Sequence, residues 1–205
     1  MKAKLLLILL IACVTFSSQT FGQATHKKKK TPTADNCPPE GSATDDKHKT
    51  LNIHKNASTE APSGTPDNWD IESVIGAPKH EDSTDFTVGS YVALKGFLVS
   101  FQEEGGESCN CGLAVAAEKT GDVHMYIGLT AGAPKTECVI VEITPDFKRL
   151  HPDYEQMLNA KTQVTVSGYL LYDIEHTAQS MNTCKSCTKT WRKTCWEIHP
   201  IVSIK

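Results

Sequence analysis

The sequence lacks the motifs that identify several large classes of enzyme and binding protein. It has no glycine-rich phosphate-binding loop and no glycine elbow around a serine, so neither a nucleotide site nor a serine-hydrolase nucleophile is indicated. Its formal net charge is only −3 in 205 residues, which gives no general case for binding nucleic acid. The dense basic run at residues 27–30 lies in a polar stretch. An enzyme of a recognisable class is therefore not predicted.

Long apolar runs are also scarce, and the one present lies at the N-terminus. Lys2 and Lys4 precede an apolar run over residues 5–16, and small residues follow around Gly22 and Ala24. This run is too short to span a membrane but is typical of a signal peptide. We predict a signal peptide over residues 1–24 and an exported protein, periplasmic or extracellular, without a transmembrane segment. In an alternative interpretation, residues 10–13 form a lipoprotein box and Cys13 is acylated.

Large apolar side chains are few before residue 69. Residues 25–68 are rich in Lys, Thr, Asp, Pro and Ser, and such a segment buries too little surface to offset the entropy lost on ordering. It is predicted to be a disordered linker, within which residues 51–56 are expected to dock as an extended patch. One domain is expected over residues 69–205.

Within that domain, β-branched and aromatic residues recur in alternation with polar ones, which predicts strands. The predicted strands are residues 90–101, 122–129, 138–143, 162–173 and 196–204. Gly96 suits a strongly bent first strand. Between the third and fourth strands, Pro145 begins a segment whose apolar residues repeat with helical spacing (Phe147, Leu150, Tyr154 and Leu158). Residues 69–75 are predicted to form a short helix or a strap.

This order of elements resembles the oligonucleotide- and oligosaccharide-binding (OB) fold, a five-stranded Greek-key barrel. The phrases at residues 51–56, 141–145, 168–173 with His176, and 196–200 resemble those of uncharacterised exported bacterial proteins with this barrel. The resemblance covers about residues 88–205 and implies a mainly β, OB-like fold but no activity. Small antiparallel barrels and sandwiches with one helix are the alternatives. Staphylococcal nuclease shares the barrel and uses arginines and acidic residues, but Arg149 and Arg192 are the only arginines here, so its active site is not matched.

The cysteines of an exported protein are expected to form disulfides. The candidates are Cys109, Cys111, Cys138, Cys184, Cys187 and Cys195, with Cys37 left unpaired. In the barrel that the resemblance implies, strands three and five are parallel neighbours, so Cys138 is expected to pair with Cys195. The first and last loops flank one groove, so Cys109 and Cys111 are expected to meet Cys184 and Cys187. The alternatives are a zinc site built from those four thiolates and a redox-active Cys184–Cys187 pair.

Strand alternation also predicts a polar outer face. It directs the side chains of four residues away from the barrel core on neighbouring strands: His124, Glu142, Glu197 and His199. Two imidazoles and a carboxylate from this set could hold a divalent metal ion such as zinc. The alternative is that these are solvated polar residues on the wet face of the sheet, with the histidines bonded to neighbouring carboxylates. Asp173, Glu175 and His176 close the fourth strand and could join a metal or proton-transfer site at the groove rim, the alternative being that the Asp and the His cap turns.

Three functions are compatible with these features. The first is an exported binding module whose groove takes a peptide, a glycan or a partner protein, with Tyr126, Tyr169 and Trp191 along the groove. The second is a binder of single-stranded nucleic acid that uses Lys185, Lys189 and Arg192 of the last loop. The third is a metal-dependent hydrolase that uses the histidine and glutamate face. No cofactor other than that metal is expected.

Overall fold

The computed structural model describes residues 36–77, 86–113, 121–160 and 162–205. The helices are α1 (Asp46–Lys55), α2 (Ile71–Gly76), α3 (Pro145–Leu150) and α4 (Tyr154–Asn159). The strands are β1 (Asp67–Trp69), β2 (Tyr91–Glu103), β3 (Val123–Gly128), β4 (Val139–Ile143), β5 (Gln163–Tyr172) and β6 (Trp196–Ile204). Short 3₁₀ turns cover Lys135–Glu137 and Ile174–Gln179. The predicted signal peptide and Cys13 lie outside the described residues.

Strands β2 to β6 form a closed five-stranded barrel. The strand order is β1-β2-β3-β4-β6-β5, and β2 also pairs with β5 to close the sheet. Strands β4 and β6 are parallel, whereas the other pairs within the barrel are antiparallel. The predicted mainly β, OB-like barrel, with parallel third and fifth strands, is confirmed. Strand β1 adds a sixth strand, parallel to β2.

The barrel core is filled by side chains from each of the strands β2 to β6, among them Met125, Val141 and Trp196, all fully buried. Helix α2, whose first turn is capped by Asp70 accepting from the Ser73 amide at 2.7 Å, contributes Ile71 to this core. Glycine is required at position 96, where β2 meets α2 and β3, because a Cβ there would lie 2.5 Å from Ile71 Cδ1 and 2.6 Å from Ile127 Cγ2. The residues predicted to form a short helix or strap therefore include a helix that packs into the barrel.

The helix predicted after the third strand is present but is interrupted. Pro152 separates α3 from α4, because proline has no amide to donate and disfavours a helical residue before it. Phe147, Tyr154 and Leu158 are buried as the helical spacing predicted, whereas Leu150 is 57% exposed. The break therefore turns one predicted core residue toward solvent.

Helix α1 lies in the segment predicted to be a disordered linker, and it replaces the predicted extended patch. Asp45 begins the helix by accepting from the His48 amide at 3.1 Å. Asn52 is fully buried and donates to the Glu40 carbonyl at 2.9 Å and to Ser108 Oγ at 3.0 Å. Polar side chains supply much of the docking of α1, and a composition argument built on apolar burial does not detect such contacts.

The disulfides are Cys37–Cys111 and Cys184–Cys187, and Cys109, Cys138 and Cys195 are buried thiols. The predicted Cys138–Cys195 pair and the unpaired Cys37 are wrong. Although β4 and β6 are neighbours, Cys138 packs with Tyr126 and Ile140 on the outer side of the sheet, whereas Cys195 belongs to the barrel core. The predicted meeting of the two cysteine loops and the four-thiolate zinc site are also wrong, because three of those sulfurs are in these disulfides.

In the part of the chain that the structure describes, no helix combines the length and apolar character needed to cross a membrane.

Candidate functional site

A cleft of about 610 Å³ lies on the outer side of the barrel, between the β2–β3 loop and the β5–β6 loop. Its lining comprises Gln102, Glu104, Glu107, His124, Tyr126, Lys135, Thr136, His176, Thr190 and Trp191. Tyr126 and Trp191 thus lie in a groove as the sequence predicted. Tyr169 instead packs against Tyr91, with 5.9 Å between ring centroids. The lining as described includes neither Lys185 nor Lys189.

Three of the four predicted metal ligands converge below this cleft. His124 and Glu142 are direct partners across β3 and β4, and His199 comes from the neighbouring strand β6. Glu142 Oε1 lies 2.8 Å from His124 Nε2, and Glu142 Oε2 lies 2.9 Å from His199 Nδ1. These three side chains thus lie together on the outer face of the sheet.

The alternative prediction is wrong in expecting a solvated face, although both histidines do lie beside a carboxylate, that of Glu142. His124, Glu142 and His199 are 2%, 0% and 1% exposed. Helix α1 and the β2–β3 loop cover the face, and Lys55 of α1 reaches Glu107 of that loop at 3.0 Å. The polar side chains therefore form a buried cluster and not a wet surface.

Sequence reasoning missed two carboxylates of this cluster. Glu107, in the β2–β3 loop, has a carboxylate oxygen within 4.8 Å of donor atoms of His124 and Glu142. Asp122, immediately before β3, has a carboxylate oxygen within 4.8 Å of ligand atoms of Glu142 and His199. Glu107 lies in a loop, so no alternation pattern assigns its side chain to a face. Asp122 opens the predicted strand 122–129, whose alternation directs it outward with His124, but it is not among the predicted metal ligands. We call Glu107, Asp122, His124, Glu142 and His199 together the histidine–carboxylate cluster.

The close approaches within the cluster are short nitrogen–oxygen contacts between ionisable groups. Each oxygen of the fully buried Glu142 faces one imidazole, so the carboxylate and the two rings form a buried charge network. A second carboxylate approaches this network, because Glu107 Oε1 lies 3.9 Å from His124 Nε2. Imidazole nitrogens and carboxylate oxygens gathered in this way are also ligands for a divalent metal ion, which would replace the protons held by the imidazoles.

The electrostatics of the cluster also favour added positive charge. Burial disfavours ionised Glu142, yet the neighbouring imidazoles of His124 and His199 hold its pKa well below its usual value. Burial likewise disfavours imidazolium, but the Glu142 carboxylate raises the pKa of His124 to about 9 and that of His199 well above its usual value. Burial raises the pKa of Asp122 to about 6, against the opposing effect of His199.

Two buried ion pairs frame the cluster. Lys55 Nζ lies 2.9 Å from Asp173 Oδ2 as well as close to Glu107. Arg192 Nη2 lies 2.6 Å from Glu197 Oε2, and Arg192 Nε donates to the Thr194 carbonyl at 2.8 Å. Arg192, predicted to line the groove, is fully buried in this pair. Glu197, predicted as a metal ligand, is committed to Arg192 through one oxygen, and its other oxygen lies 3.4 Å from His199 Nδ1.

Two histidines of the cleft lie against the same aromatic ring. The His124 ring is stacked 6.3 Å from the Trp191 ring, and the His176 ring meets it edge-on at 5.4 Å. Gln179 lies 2.6 Å from His176 Nδ1 and also accepts from Trp191 Nε1 at 3.0 Å. Trp191 therefore connects the buried cluster to a more accessible imidazole, whose side chain is 18% exposed.

A smaller pocket of about 220 Å³ lies near the Cys37–Cys111 disulfide. It contains none of the histidines of the cluster, so the larger cleft is the candidate site. No family model, curated protein or solved structure matches this chain. Function therefore has to be inferred from the geometry of the cleft and of the cluster beneath it.

Proposed function

We propose that the protein is an exported OB-like binding module that holds a divalent metal ion at the floor of its cleft. The observation that carries this proposal is the position of Glu142. Its fully buried carboxylate lies between two imidazole nitrogens, at 2.8 and 2.9 Å, and carboxylates of Glu107 and Asp122 complete groups of three potential metal ligands around it.

The chemistry of the donor atoms suits a first-row transition metal. Imidazoles favour zinc, copper, iron and nickel, and carboxylates extend the range to manganese and magnesium. Three carboxylates of the cluster face two histidines, while Asp173 and Glu197 are neutralised by Lys55 and Arg192. A divalent ion bound by neutral imidazoles offsets this negative charge without protonating the histidines. Zinc is the first metal to test.

The lining of the cleft supports a peptide or glycan as the bound ligand. Tyr126 and Trp191 provide aromatic surface, and Gln102, Thr136 and Thr190 provide uncharged hydrogen-bonding groups. Glu104 and Glu107 make part of the lining acidic, which disfavours the phosphates of nucleic acid. Two disulfides fit an oxidising, extracytoplasmic compartment.

A metal-dependent hydrolase is the second candidate, and His176 is the observation that favours it. A bound divalent ion can lower the pKa of its water enough to generate hydroxide near neutral pH. His176 lines the same cleft as His124 and is placed to exchange a proton with a ligand there. If this candidate is correct, His176→Gln abolishes hydrolysis of a responsive ester or peptide while the metal content is unchanged.

Calorimetric titration of chelator-treated protein tests metal binding directly. Zinc, manganese and calcium are titrated separately into the wild type and His199→Gln. We expect the wild type to bind zinc and His199→Gln to bind it at least tenfold more weakly. The control is His48→Gln, which changes an exposed histidine paired with Asp45, and it should bind as the wild type does. A wild type that binds none of the three ions would refute the proposal.

A further inference from the structure

The histidine–carboxylate cluster contains two sets of potential ligands that share one residue. Glu107, His124 and Glu142 form the outer set, and Asp122, Glu142 and His199 form the inner set; within each set the ligand atoms lie within 4.8 Å of one another. Each histidine thus belongs to a different set. Glu142 belongs to both, with Oε1 toward His124 and Oε2 toward His199.

A carboxylate whose two oxygens face two different imidazoles has the arrangement of a bridging ligand. Ions held by a pair of sites in this way are typically about 3.5–4 Å apart. One ion bound to Glu142 Oε1 would complete the outer set, and one bound to Oε2 would complete the inner set. The same carboxylate can therefore serve both positions without moving.

The other two carboxylates each have one oxygen engaged by a neighbour. Glu107 Oε2 is paired with Lys55 Nζ at 3.0 Å, and Glu107 Oε1 faces His124 Nε2 at 3.9 Å. Asp122 Oδ2 accepts from Asn110 Nδ2 at 2.9 Å, and Oδ1 has no hydrogen-bond partner among the described residues. Hydrogen bonds to the oxygen that does not bind are how proteins orient metal-ligating carboxylates.

We propose that the site is dinuclear, with Glu142 bridging an outer ion held by Glu107 and His124 and an inner ion held by Asp122 and His199. This inference rests on the proposed metal binding. Two divalent ions carry four positive charges against the three carboxylates. The remaining positive charge would favour an anionic group, such as a carboxylate or phosphate, that reaches the outer ion through the cleft.

The two positions differ in their access to solvent. Glu107 and His124 line the cleft, so the outer ion would be open to a ligand. Asp122, Glu142 and His199 are each at most 1% exposed, so the inner ion would be enclosed by protein. We therefore expect the inner ion to exchange slowly with a chelator and the outer ion to exchange quickly.

The zinc content of purified full-length mature protein tests the inference. The protein is saturated with zinc, freed of excess metal by gel filtration, and analysed by elemental analysis and native mass spectrometry. We expect two zinc ions per chain in the wild type, and one in each of His124→Gln and His199→Gln. His176→Gln, which changes a cleft histidine outside both sets, is the control and should retain two.

The outcomes for the wild type separate this inference from the proposed function, and they do not depend on whether a variant folds. One zinc per chain would overturn the dinuclear site and leave the proposed metal binding intact. No zinc would overturn both. If the wild type binds two ions and His176→Gln loses one, the second ion lies elsewhere in the cleft and the bridging role of Glu142 is refuted.

Discussion

Arg192 and Glu197 are charged side chains that are both fully buried. Removing one partner leaves the other charge unpaired in the interior, which typically costs about 3–5 kcal/mol. We expect Arg192→Met to lower the free energy of unfolding by that amount, measured by urea denaturation. The double variant Arg192→Met, Glu197→Leu should be more stable than Arg192→Met alone, because it leaves no buried charge.

Arg149 provides a matched control for this pair, because it forms an exposed ion pair with Asp146 at 2.9 Å. Exposed ion pairs contribute about 0–1 kcal/mol, so Arg149→Met should change stability little. An equal loss for Arg149→Met and Arg192→Met would contradict the importance of burial here.

Asp173 should make stability depend on pH in the acid range. Burial opposes its ionisation, but Lys55, and also His176 and Arg192, hold its pKa below its usual value. A pKa that is lower in the folded than in the unfolded chain gives stability that is present above about pH 4 and is lost as pH falls through the folded value. Asp173→Asn should therefore lose less stability than the wild type between pH 5 and pH 3 in urea denaturation. Equal losses of stability in the wild type and Asp173→Asn would contradict the contribution of the Asp173 carboxylate to acid sensitivity.

At the level of residues, the sequence predicted the part of the cluster that lies on strands. His124, Glu142 and His199 could be assigned to one face because alternation fixes the direction of every side chain in a strand. Glu107 could not be assigned in this way, because it lies in a loop. Asp122 opens the predicted strand 122–129 and is directed outward by the same alternation, but alternation alone does not show that its carboxylate reaches Glu142 and His199. Glu197 is paired with Arg192 and is therefore not a metal ligand in the proposed site. No pattern in the sequence predicts which strand residue a loop arginine pairs with.

The two disulfides differ greatly in the length of chain that they close. Cys37–Cys111 joins residues separated by 74 positions, and Cys184–Cys187 joins residues separated by 3. In the chain-entropy model, these separations correspond to about 4.4 and about 1.6 kcal/mol of stabilisation. We expect Cys37→Ser, Cys111→Ser to lower the free energy of unfolding more than Cys184→Ser, Cys187→Ser does, as measured by urea denaturation without reductant. Equal losses would show that the long-range disulfide does not act by restricting the unfolded chain.

Gly96 is required by packing within β2. An added methyl group would lie 2.9 Å from the Gly128 carbonyl oxygen as well as against Ile71 and Ile127. We expect Gly96→Ala to cost about 1–3 kcal/mol, as overpacked positions do. Gly132→Ala is the control, because a Cβ there meets no atom within 4 Å, and its effect should stay within about 0.5 kcal/mol. The melting temperatures of the two variants measure these effects. Equal melting temperatures for Gly96→Ala and Gly132→Ala would contradict the tight packing at Gly96.

At the level of elements, the strands were more predictable than the helices. Strand β6 coincides with the predicted segment 196–204, because that segment is rich in β-branched and aromatic residues. Its alternation breaks after Ile198, since the next core residues are Ile201 and Ile204, where the pairing with β5 is irregular. Helix α1 was missed, since its docking depends on Asn52 and Lys55 making polar contacts with residues far away in the sequence. Periodicity reports an apolar face and carries no information about such partners.

At the level of the whole molecule, the candidate site is built from distant parts of the chain. Helix α1 places Lys55 beside the cluster, the β2–β3 loop supplies Glu107 and Asp122, and β3, β4 and β6 supply His124, Glu142 and His199. In OB folds, ligands commonly bind on the face of strands two and three between the loops that join strands one to two and four to five. The cleft occupies the corresponding region here, and the buried cluster gives that region a chemistry that the fold alone does not supply.

Metal binding by this site should therefore stabilise the whole barrel. A ligand that binds only the folded state, at 100 times its dissociation constant, adds about 2.7 kcal/mol to the free energy of unfolding. In a chain of this size, that corresponds to an increase of roughly 5–10 °C in the melting temperature. We expect zinc to raise the melting temperature of the wild type by at least this amount in differential scanning calorimetry, and excess chelator to reverse it. The double variant His124→Gln, His199→Gln retains the fully buried core of Met125, Val141 and Trp196 but lacks one ligand from each set, so zinc should leave its melting temperature unchanged. An equal rise in both proteins would mean that zinc binds outside the histidine–carboxylate cluster.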